Sequence, residues 1–253
     1  DLSDADLVTI LGADAVCKTQ NPSVLTTSAQ AWRTAWLANL QAGRSAGMAI
    51  SSLRLFNYPT FTPDSLQSDA YFTNDLRKEE LRRWIALYAA MQEQTPFNVA
   101  TLEAQGIVRT PATTPNTVLD TLIANLRQPN AADRYLLLFA KSPSVRGGGW
   151  HGVVPYAVQQ INSDEYLIYL YDPDPPTRSD RAIQIKRSSN SWAYISPVAP
   201  DRPLYDYFGD ATADNFRLVS QQWTQTFPKL CDTVCTAQSA NAQGAATNTD
   251  VNI

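Results

Sequence analysis

Hydrophobic side chains in the first 130 residues recur every three to four positions, which is the spacing of amphipathic helices. The pattern predicts four helices, over residues 28–40, 46–56, 74–94 and 118–126. Two of them carry start signals, because Ser45 is a candidate N-cap and Pro115 stands in a first turn, where its missing N–H is harmless. The N-terminal half of the chain is therefore predicted to be helical.

After residue 133 the pattern changes to short runs rich in β-branched and aromatic residues, separated by turn residues. These runs predict strands over residues 135–139, 152–160, 166–171, 181–186 and 191–195. Asn162, Ser163 and Asp164 are typical of a hairpin loop between the second and third strands. Helices followed by strands indicate the α+β class, with an N-terminal helical half packed on a C-terminal antiparallel sheet.

The same patterns predict how the chain is divided. We expect one domain over residues 1–227, with a helical half over about 1–130 and a sheet half over about 131–227. Residues 228–253 are rich in Ala, Gln, Asn, Thr and Gly, so they are predicted to form a flexible tail or linker. Because the chain begins at Asp1, we expect a processed form or a piece of a longer protein.

Composition and charge narrow the class of function. Hydrophobic residues make up 44% and charged residues 17% of the 253 positions, as in ordinary globular proteins. The net charge of −4 and the lack of a Lys/Arg-rich cluster argue against a nucleic-acid partner. No apolar run approaches the roughly 18–20 residues that a membrane span needs, so none is expected. The oligomeric state is left open.

The three cysteines are too few for a disulfide framework, and their odd number leaves at least one thiol free. Cys231 and Cys235 could close a small loop, or one of them could pair with Cys17. Zinc is disfavoured because the group lacks a fourth soft ligand, so we expect no metal and no cofactor. The compartment stays open, with a preference for a secreted or cell-surface location.

The single histidine of the chain, His151, stands among small residues and directly before a predicted strand. The next predicted strand ends at Tyr171 and is followed at once by Asp172. A histidine at the start of one strand and an acid at the end of the next are a common arrangement for a general base and its orienting partner. Asp174 lies between prolines and is expected to face solvent.

Simpler interpretations exist for each of these residues. A lone histidine at a strand edge is more often structural, and a serine before a helix is more often an N-cap. The glycines before His151 and the acid that follows the next strand favour the functional interpretation of the histidine. For Ser45 the functional interpretation depends on a resemblance.

Four segments occur in the order that a bacterial group of papain-like cysteine peptidase domains shows. The family patterns are Gly-x-Cys-x-Gly-Met-Ala opening a helix, His-Ala-Val-x-Pro-Tyr, Tyr-Asp-Asn-Asn-x-Pro and Asn-x-Trp-x-Tyr. This chain has Gly-Arg-Ser-Ala-Gly-Met-Ala at 43–49, His-Gly-Val-Val-Pro-Tyr at 151–156, Tyr-Asp-Pro-Asp-Pro at 171–175 and Asn-Ser-Trp-Ala-Tyr at 190–194. The chain therefore resembles that family over about residues 10–196.

The resemblance implies a role for each position. Ser45 would hold the nucleophile position, His151 would be the general base, and Asp172 would orient the imidazole. Asn39 would be the oxyanion donor, with Gln41 as the alternative. The candidate substrate-binding residues are Gly43, Gly47, Gly149 and Trp150. Hydrolysis of a peptide or isopeptide bond through an acyl intermediate is the implied activity, so the expected partner is a peptide or protein.

The nucleophile position departs from the family, because serine stands where the family has cysteine. A serine hydroxyl is far less acidic than a thiol, so the change normally removes most activity. Three explanations stay open: an engineered substitution, a natural pseudoenzyme kept as a peptide- or protein-binding module of a larger protein, and a genuine serine nucleophile. A purely structural domain of a larger assembly is a further class.

Overall fold

The computed structural model describes residues 3–11, 16–17, 24–42, 44–57, 82–83, 85–86, 88–89, 114–128, 134–142, 150–174, 178–200 and 203–220. The predicted tail, much of the predicted helix 74–94, Cys231 and Cys235 lie outside these residues. Gly43 and Gly149 do so as well.

Four helices are described: α1 (Asp4–Leu11), α2 (Thr27–Ala42), α3 (Ser45–Asn57) and α4 (Pro115–Leu126). The helices predicted at 28–40, 46–56 and 118–126 are confirmed, and the described residues of 82–89 are helical too. The helix α1 was not predicted, although Ser3 and Asp6 form a capping box at its start. Among the described residues, no helix has the length and apolar character needed to cross a bilayer.

The strands are β1 (Tyr135–Phe139), β2 (His151–Gln160), β3 (Glu165–Tyr171), β4 (Ala182–Lys186), β5 (Ser191–Ile195), β6 (Phe208–Asp210) and β7 (Phe216–Ser220). They form one antiparallel sheet in the order β6-β5-β4-β3-β2-β1-β7. The five predicted strands are confirmed, and so is the hairpin loop. In that loop the Asn162 side chain accepts hydrogen bonds from the backbone N–H groups of Asp164 and Glu165. The sequence patterns missed β6 and β7.

Strand β1, which lies between β2 and β7, is buried because helices cover both faces of the sheet around it. Leu137 and Phe139 belong to the core that contains the apolar side of α4. Leu136 and Leu138 point the other way and belong to a second core that contains α3. This alternation follows from the two-residue period of a strand, and it explains why β1 reads as an unbroken apolar run.

Two glycines allow α3 to approach its neighbours closely. A Cβ atom at position 47 would collide with the Ile85 carbonyl oxygen and lie 2.8 Å from the Ala89 nitrogen. A Cβ atom at position 152 would lie 2.6 Å from the Ala46 Cα. Such distances are too short for any side chain, so both positions need glycine. As a result the first turn of α3 lies directly against the start of β2.

Candidate active site

The candidate residues lie together where strands β2, β3 and β5 of the antiparallel sheet begin or end. His151 begins β2, Asp172 directly follows β3, and Tyr194 lies near the end of β5. Neighbouring antiparallel strands run in opposite directions, so the start of β2 and the ends of β3 and β5 lie on the same side of the sheet, at the strand termini. The first residue of α3, Ser45, lies beside the same end of β2.

His151 and Asp172 form a hydrogen-bonded pair. The His151 Nε2 atom lies 2.9 Å from Asp172 Oδ1 and 3.0 Å from Oδ2. The histidine side chain is 13% exposed and the aspartate side chain is 1% exposed. A carboxylate accepts hydrogen bonds, so this contact favours the tautomer with its proton on Nε2 and leaves Nδ1 as the nitrogen that can accept a proton.

The Asp172 carboxylate accepts two further hydrogen bonds. The Tyr194 hydroxyl donates to Oδ2 at 2.5 Å, and the Asp174 backbone N–H donates to Oδ1 at 2.9 Å. Burial by itself raises the pKa of Asp172, but the donors from His151, Tyr194 and Asp174 outweigh it and hold the pKa below its ordinary value. Asp174 itself is exposed, as predicted.

Two aromatic rings hold the imidazole in place. The Phe139 ring meets the His151 ring edge-on, with centroids 5.2 Å apart, and the Tyr207 ring stacks on it at 6.0 Å. Tyr205 and Asp206 adopt positive φ angles of 55° and 62° immediately before Tyr207. Non-glycine residues pay for this conformation, and such strain is often found at functional sites. No periodic pattern in the sequence pointed to Tyr207.

Ser45 lies at the start of α3 and is half-buried. Its Oγ accepts a hydrogen bond from the Gly152 backbone N–H at 3.1 Å, across 107 positions of the chain. The helical bond at this end joins the Met48 N–H to the Arg44 carbonyl. The N-cap interpretation of Ser45 is therefore wrong, because its hydroxyl accepts a hydrogen bond from the backbone of β2 and not from an N–H group of its own helix.

Ser45, the predicted nucleophile position, lies next to the strand that His151 begins, but it is not hydrogen-bonded to the imidazole. Within the described part of the chain, no hydrogen bond joins the Ser45 hydroxyl to the His151 ring, although the hydroxyl bonds the residue next to the histidine. The N-terminus of α3 carries the positive end of the helix dipole, which favours negative charge at position 45. The arrangement can therefore stabilise a thiolate better than it can deprotonate a hydroxyl.

The other predicted site residues have different outcomes. Asn39 and Gln41 belong to α2, and their oxyanion role stays a prediction. Gly47 is buried against Ile85 and Ala89, so its small size serves helix packing and not the approach of a substrate. Gly43 and Gly149 lie outside the described residues.

Trp150 is half-buried directly before the histidine. It packs against the apolar cluster of α3, and the Arg217 guanidinium lies 4.6 Å from the centroid of its ring. A cation at this distance stabilises the orientation of an indole. The ring is thus fixed against the α3 cluster, and its predicted role as a substrate platform stays a prediction.

Neither a metal site nor a similar known protein helps to assign a function to these residues. In the described ranges, no group of three or more His, Cys, Asp or Glu side chains is placed to hold a metal ion. Cys17 is buried and has a free thiol. Comparison with protein-family models, curated proteins and solved structures finds no match to this chain. The functional argument therefore depends on the geometry of the residues.

We expect the stability of the fold to decrease on acidification below about pH 4. Asp172 and Asp6 have pKa values below their ordinary 3.8: burial raises each value, and hydrogen bonds, from His151 and from Arg83 respectively, outweigh it. A lowered pKa stabilises the fold above the unfolded value of about 3.9, and the contribution is lost as pH falls through the folded value. Urea unfolding between pH 7 and pH 2.5 measures this.

The control for the pH dependence is a variant that lacks one of the two carboxyls. In Asp6→Asn the loss of stability on acidification should be smaller. The reason is that the Asp6 carboxyl of the unaltered chain takes up a proton on unfolding in acid, and the variant lacks it. A profile that is level from pH 5 to pH 2.5 would show that neither carboxylate is stabilised in the folded state.

Proposed function

We propose that this chain is a papain-like cysteine-peptidase-type domain in which Ser45 replaces the nucleophilic cysteine. The proposed ancestral activity is hydrolysis of a peptide or isopeptide bond, and the chain as given is inactive or nearly so. The observation that carries the proposal is the buried Asp172–His151 pair, placed beside the N-terminus of a helix whose first residue is position 45.

The chemistry of each group supports this assignment. Asp172 holds the proton of Nε2, so Nδ1 is available to take the proton of a nucleophile at position 45. The nucleophile then attacks the carbonyl carbon, and the C–N bond breaks as His151 returns the proton to the leaving amine. Water releases the acyl group in the second half of the reaction. The positive end of the α3 dipole and the Gly152 N–H would stabilise a thiolate at this position.

One observation favours a second candidate, a pseudoenzyme that binds peptides. The Ser45 hydroxyl accepts a bond from Gly152, and among described residues it makes no hydrogen bond to the imidazole. A hydroxyl needs a directly bonded base to become nucleophilic, whereas a thiol can be ionised by the helix and the imidazolium. Under this alternative the surface around Ser45 and His151 holds an extended peptide and does not cleave it.

The test restores the family residue. Ser45→Cys should react with a peptide that carries a thiol-directed electrophile, at a rate about a hundred-fold above that of a free cysteine in solution. The reason is that a thiolate paired with His151 at a helix N-terminus persists at neutral pH. The modified residue is located by mass spectrometry, and the rate is followed by loss of the unlabelled chain.

Two controls separate the site from background labelling. The Ser45 chain carries the same Cys17, Cys231 and Cys235, so labelling of that chain gives the background. Ser45→Cys combined with His151→Ala should lose the acceleration. If residue 45 labels no faster than a free thiol, the triad is not assembled and the peptidase proposal fails.

The two serine alternatives have their own tests. A fluorophosphonate that labels Ser45 in the unaltered chain would indicate a working serine nucleophile, and no labelling removes that option. A peptide array probed with the unaltered chain and with His151→Ala, which removes the imidazole from the site, tests the binding module. Binding that is equal for both chains would exclude the surface around His151 as the binding site.

A further inference from the structure

The side chain of Tyr194 makes the shortest of the described contacts with the site. Its hydroxyl lies 2.5 Å from Asp172 Oδ2, and it is buried together with that carboxylate. The resemblance to a peptidase family did not assign a role to this position, and neither did the strand pattern. Among the described residues, no hydrogen bond or ring contact joins Tyr194 to Ser45, whereas its hydroxyl bonds Asp172, so its proposed effect on the reaction passes through Asp172.

The geometry shows what the hydroxyl does for the carboxylate. Asp172 follows β3, so its backbone alone does not fix the rotation of the carboxylate group. His151 Nε2 lies at almost equal distances from the two oxygens, 2.9 and 3.0 Å, a balance that a small rotation would lose. Tyr194 on Oδ2 and the Asp174 N–H on Oδ1 bind one oxygen each. These two donors hold the carboxylate at both ends, facing the imidazole.

We infer that Tyr194 is a positioning residue, which holds the Asp172 carboxylate in the orientation that keeps the His151 proton on Nε2. The role deepens the proposed function and rests on it, because a proton fixed on Nε2 leaves Nδ1 unprotonated as the proposed base. Strand β5 supplies the rigidity, since Tyr194 pairs with Ile183 in β4 and its backbone N–H donates to the Tyr207 carbonyl. One residue thus connects the orienting acid to the backbone of the segment that carries the stacked Tyr207.

The hydroxyl is suited to this role at all ordinary pH values. Burial raises the pKa of Tyr194 far above its usual value, and the Asp172 charge raises it further, so the phenol stays protonated and remains a donor. The groups that face this pair are His151 from β2, Tyr207 and Tyr205 from the segment before β6, Arg181 directly before β4, and Asp174.

The test uses the fact that the chain has one histidine, so its imidazole N–H gives a single assignable NMR signal. In Tyr194→Phe the ring that packs in the core is kept and only the hydroxyl is lost. We expect the Nε2 proton to exchange with water about ten-fold faster, the effect of losing one hydrogen bond to a charged group. As the pH is lowered, the Nε2 proton of the variant should also lose its protection at a higher pH than in the unaltered chain. The reason is that Asp172 loses a donor that lowers its pKa.

The matched control is Tyr207→Phe, which removes the hydroxyl of a half-buried tyrosine whose ring stacks on the same imidazole. Within the described residues the Tyr207 hydroxyl makes no hydrogen bond to Asp172, so exchange of the Nε2 proton should stay within about two-fold of the unaltered chain. Equal acceleration in both variants, or none in Tyr194→Phe, would overturn the inference.

Two measurements keep the inference independent of folding and of the proposed function. In the unaltered chain the Tyr194 hydroxyl proton should give a slowly exchanging signal with a cross-peak to the His151 Nε2 proton, and its absence overturns the inference even if Tyr194→Phe does not fold. None of these signals requires catalysis. A chain that shows them but fails the Ser45→Cys labelling retains the positioning role and loses the peptidase assignment.

Discussion

Asp172→Ala is expected to lower the free energy of unfolding by about 3 kcal/mol and to release the imidazole from its fixed orientation. The carboxylate side chain is almost fully buried, and it accepts hydrogen bonds from His151, Tyr194 and the Asp174 backbone. Alanine leaves these three donors without their acceptor in a site that water reaches poorly. Urea unfolding at pH 7 measures the loss, and the imidazole NMR signal reports the orientation.

Asp174→Ala is the matched control for this prediction. Asp174 is an acid two residues further along, but its side chain is exposed, and its backbone N–H is retained by the substitution. Its loss should change the stability by no more than about 0.5 kcal/mol. Asp172→Asn keeps one oxygen that can accept from Nε2, so its effect should lie between the two. Equal small effects of both alanine variants would mean that the buried pair does not form in solution.

Gly47→Ala is expected to destabilise the chain by about 2–3 kcal/mol, although alanine is normally the better helix residue by about 1 kcal/mol. The added methyl group would collide with the Ile85 carbonyl oxygen and with Ala89, and backbone atoms cannot yield as a flexible side chain does. The helix α3 would have to move away from the 82–89 segment. Thermal unfolding followed by circular dichroism measures the loss.

A substitution on the same helix separates packing from helix propensity. Ser52→Ala removes a half-buried hydroxyl whose hydrogen bond to the Tyr171 hydroxyl is long, at 3.5 Å. It should leave the stability within about 0.5 kcal/mol of the unaltered chain.

In the Ser45→Cys background, Gly47→Ala should also slow the labelling of residue 45, since displacement of α3 breaks the contact with Gly152. A stabilised Gly47→Ala variant would contradict the close approach of the two helices.

The small residues around α3 illustrate how one feature can be explained in two ways. From the sequence, Gly47 was interpreted as making room for a substrate, because glycines beside a nucleophile commonly do so. In the fold it makes room for another part of the same chain. Gly152 has a similar reason, because it lies against Ala46 and allows its N–H to reach the Ser45 hydroxyl. Gly47 thus lets α3 pack against residues 85 and 89, and Gly152 lets the start of β2 reach Ser45.

The acid partner of the histidine was predictable, and the environment of the pair was not. Asp172 directly follows a strand next to the one that His151 begins, and neighbouring antiparallel strands bring such positions together. Tyr194 and Tyr207 reach the pair from β5 and from a turn with positive φ angles. Nothing in the spacing of residues 194 and 207 indicates which side chains they contact, because hydrogen bonds and ring stacking depend on how the sheet twists and closes.

The sequence by itself determined the mixed helical and antiparallel character, three helices, five strands and the pairing of His151 with Asp172. These features depend on periodicity and on the order of neighbouring elements, which are local properties of the chain. Only the tertiary structure decided that β7 pairs with β1, that Ser45 bonds Gly152 and that Tyr194 holds Asp172. Each of these contacts depends on how separate elements pack in three dimensions, which the periodicity of the chain does not specify, and buried polar groups need such partners.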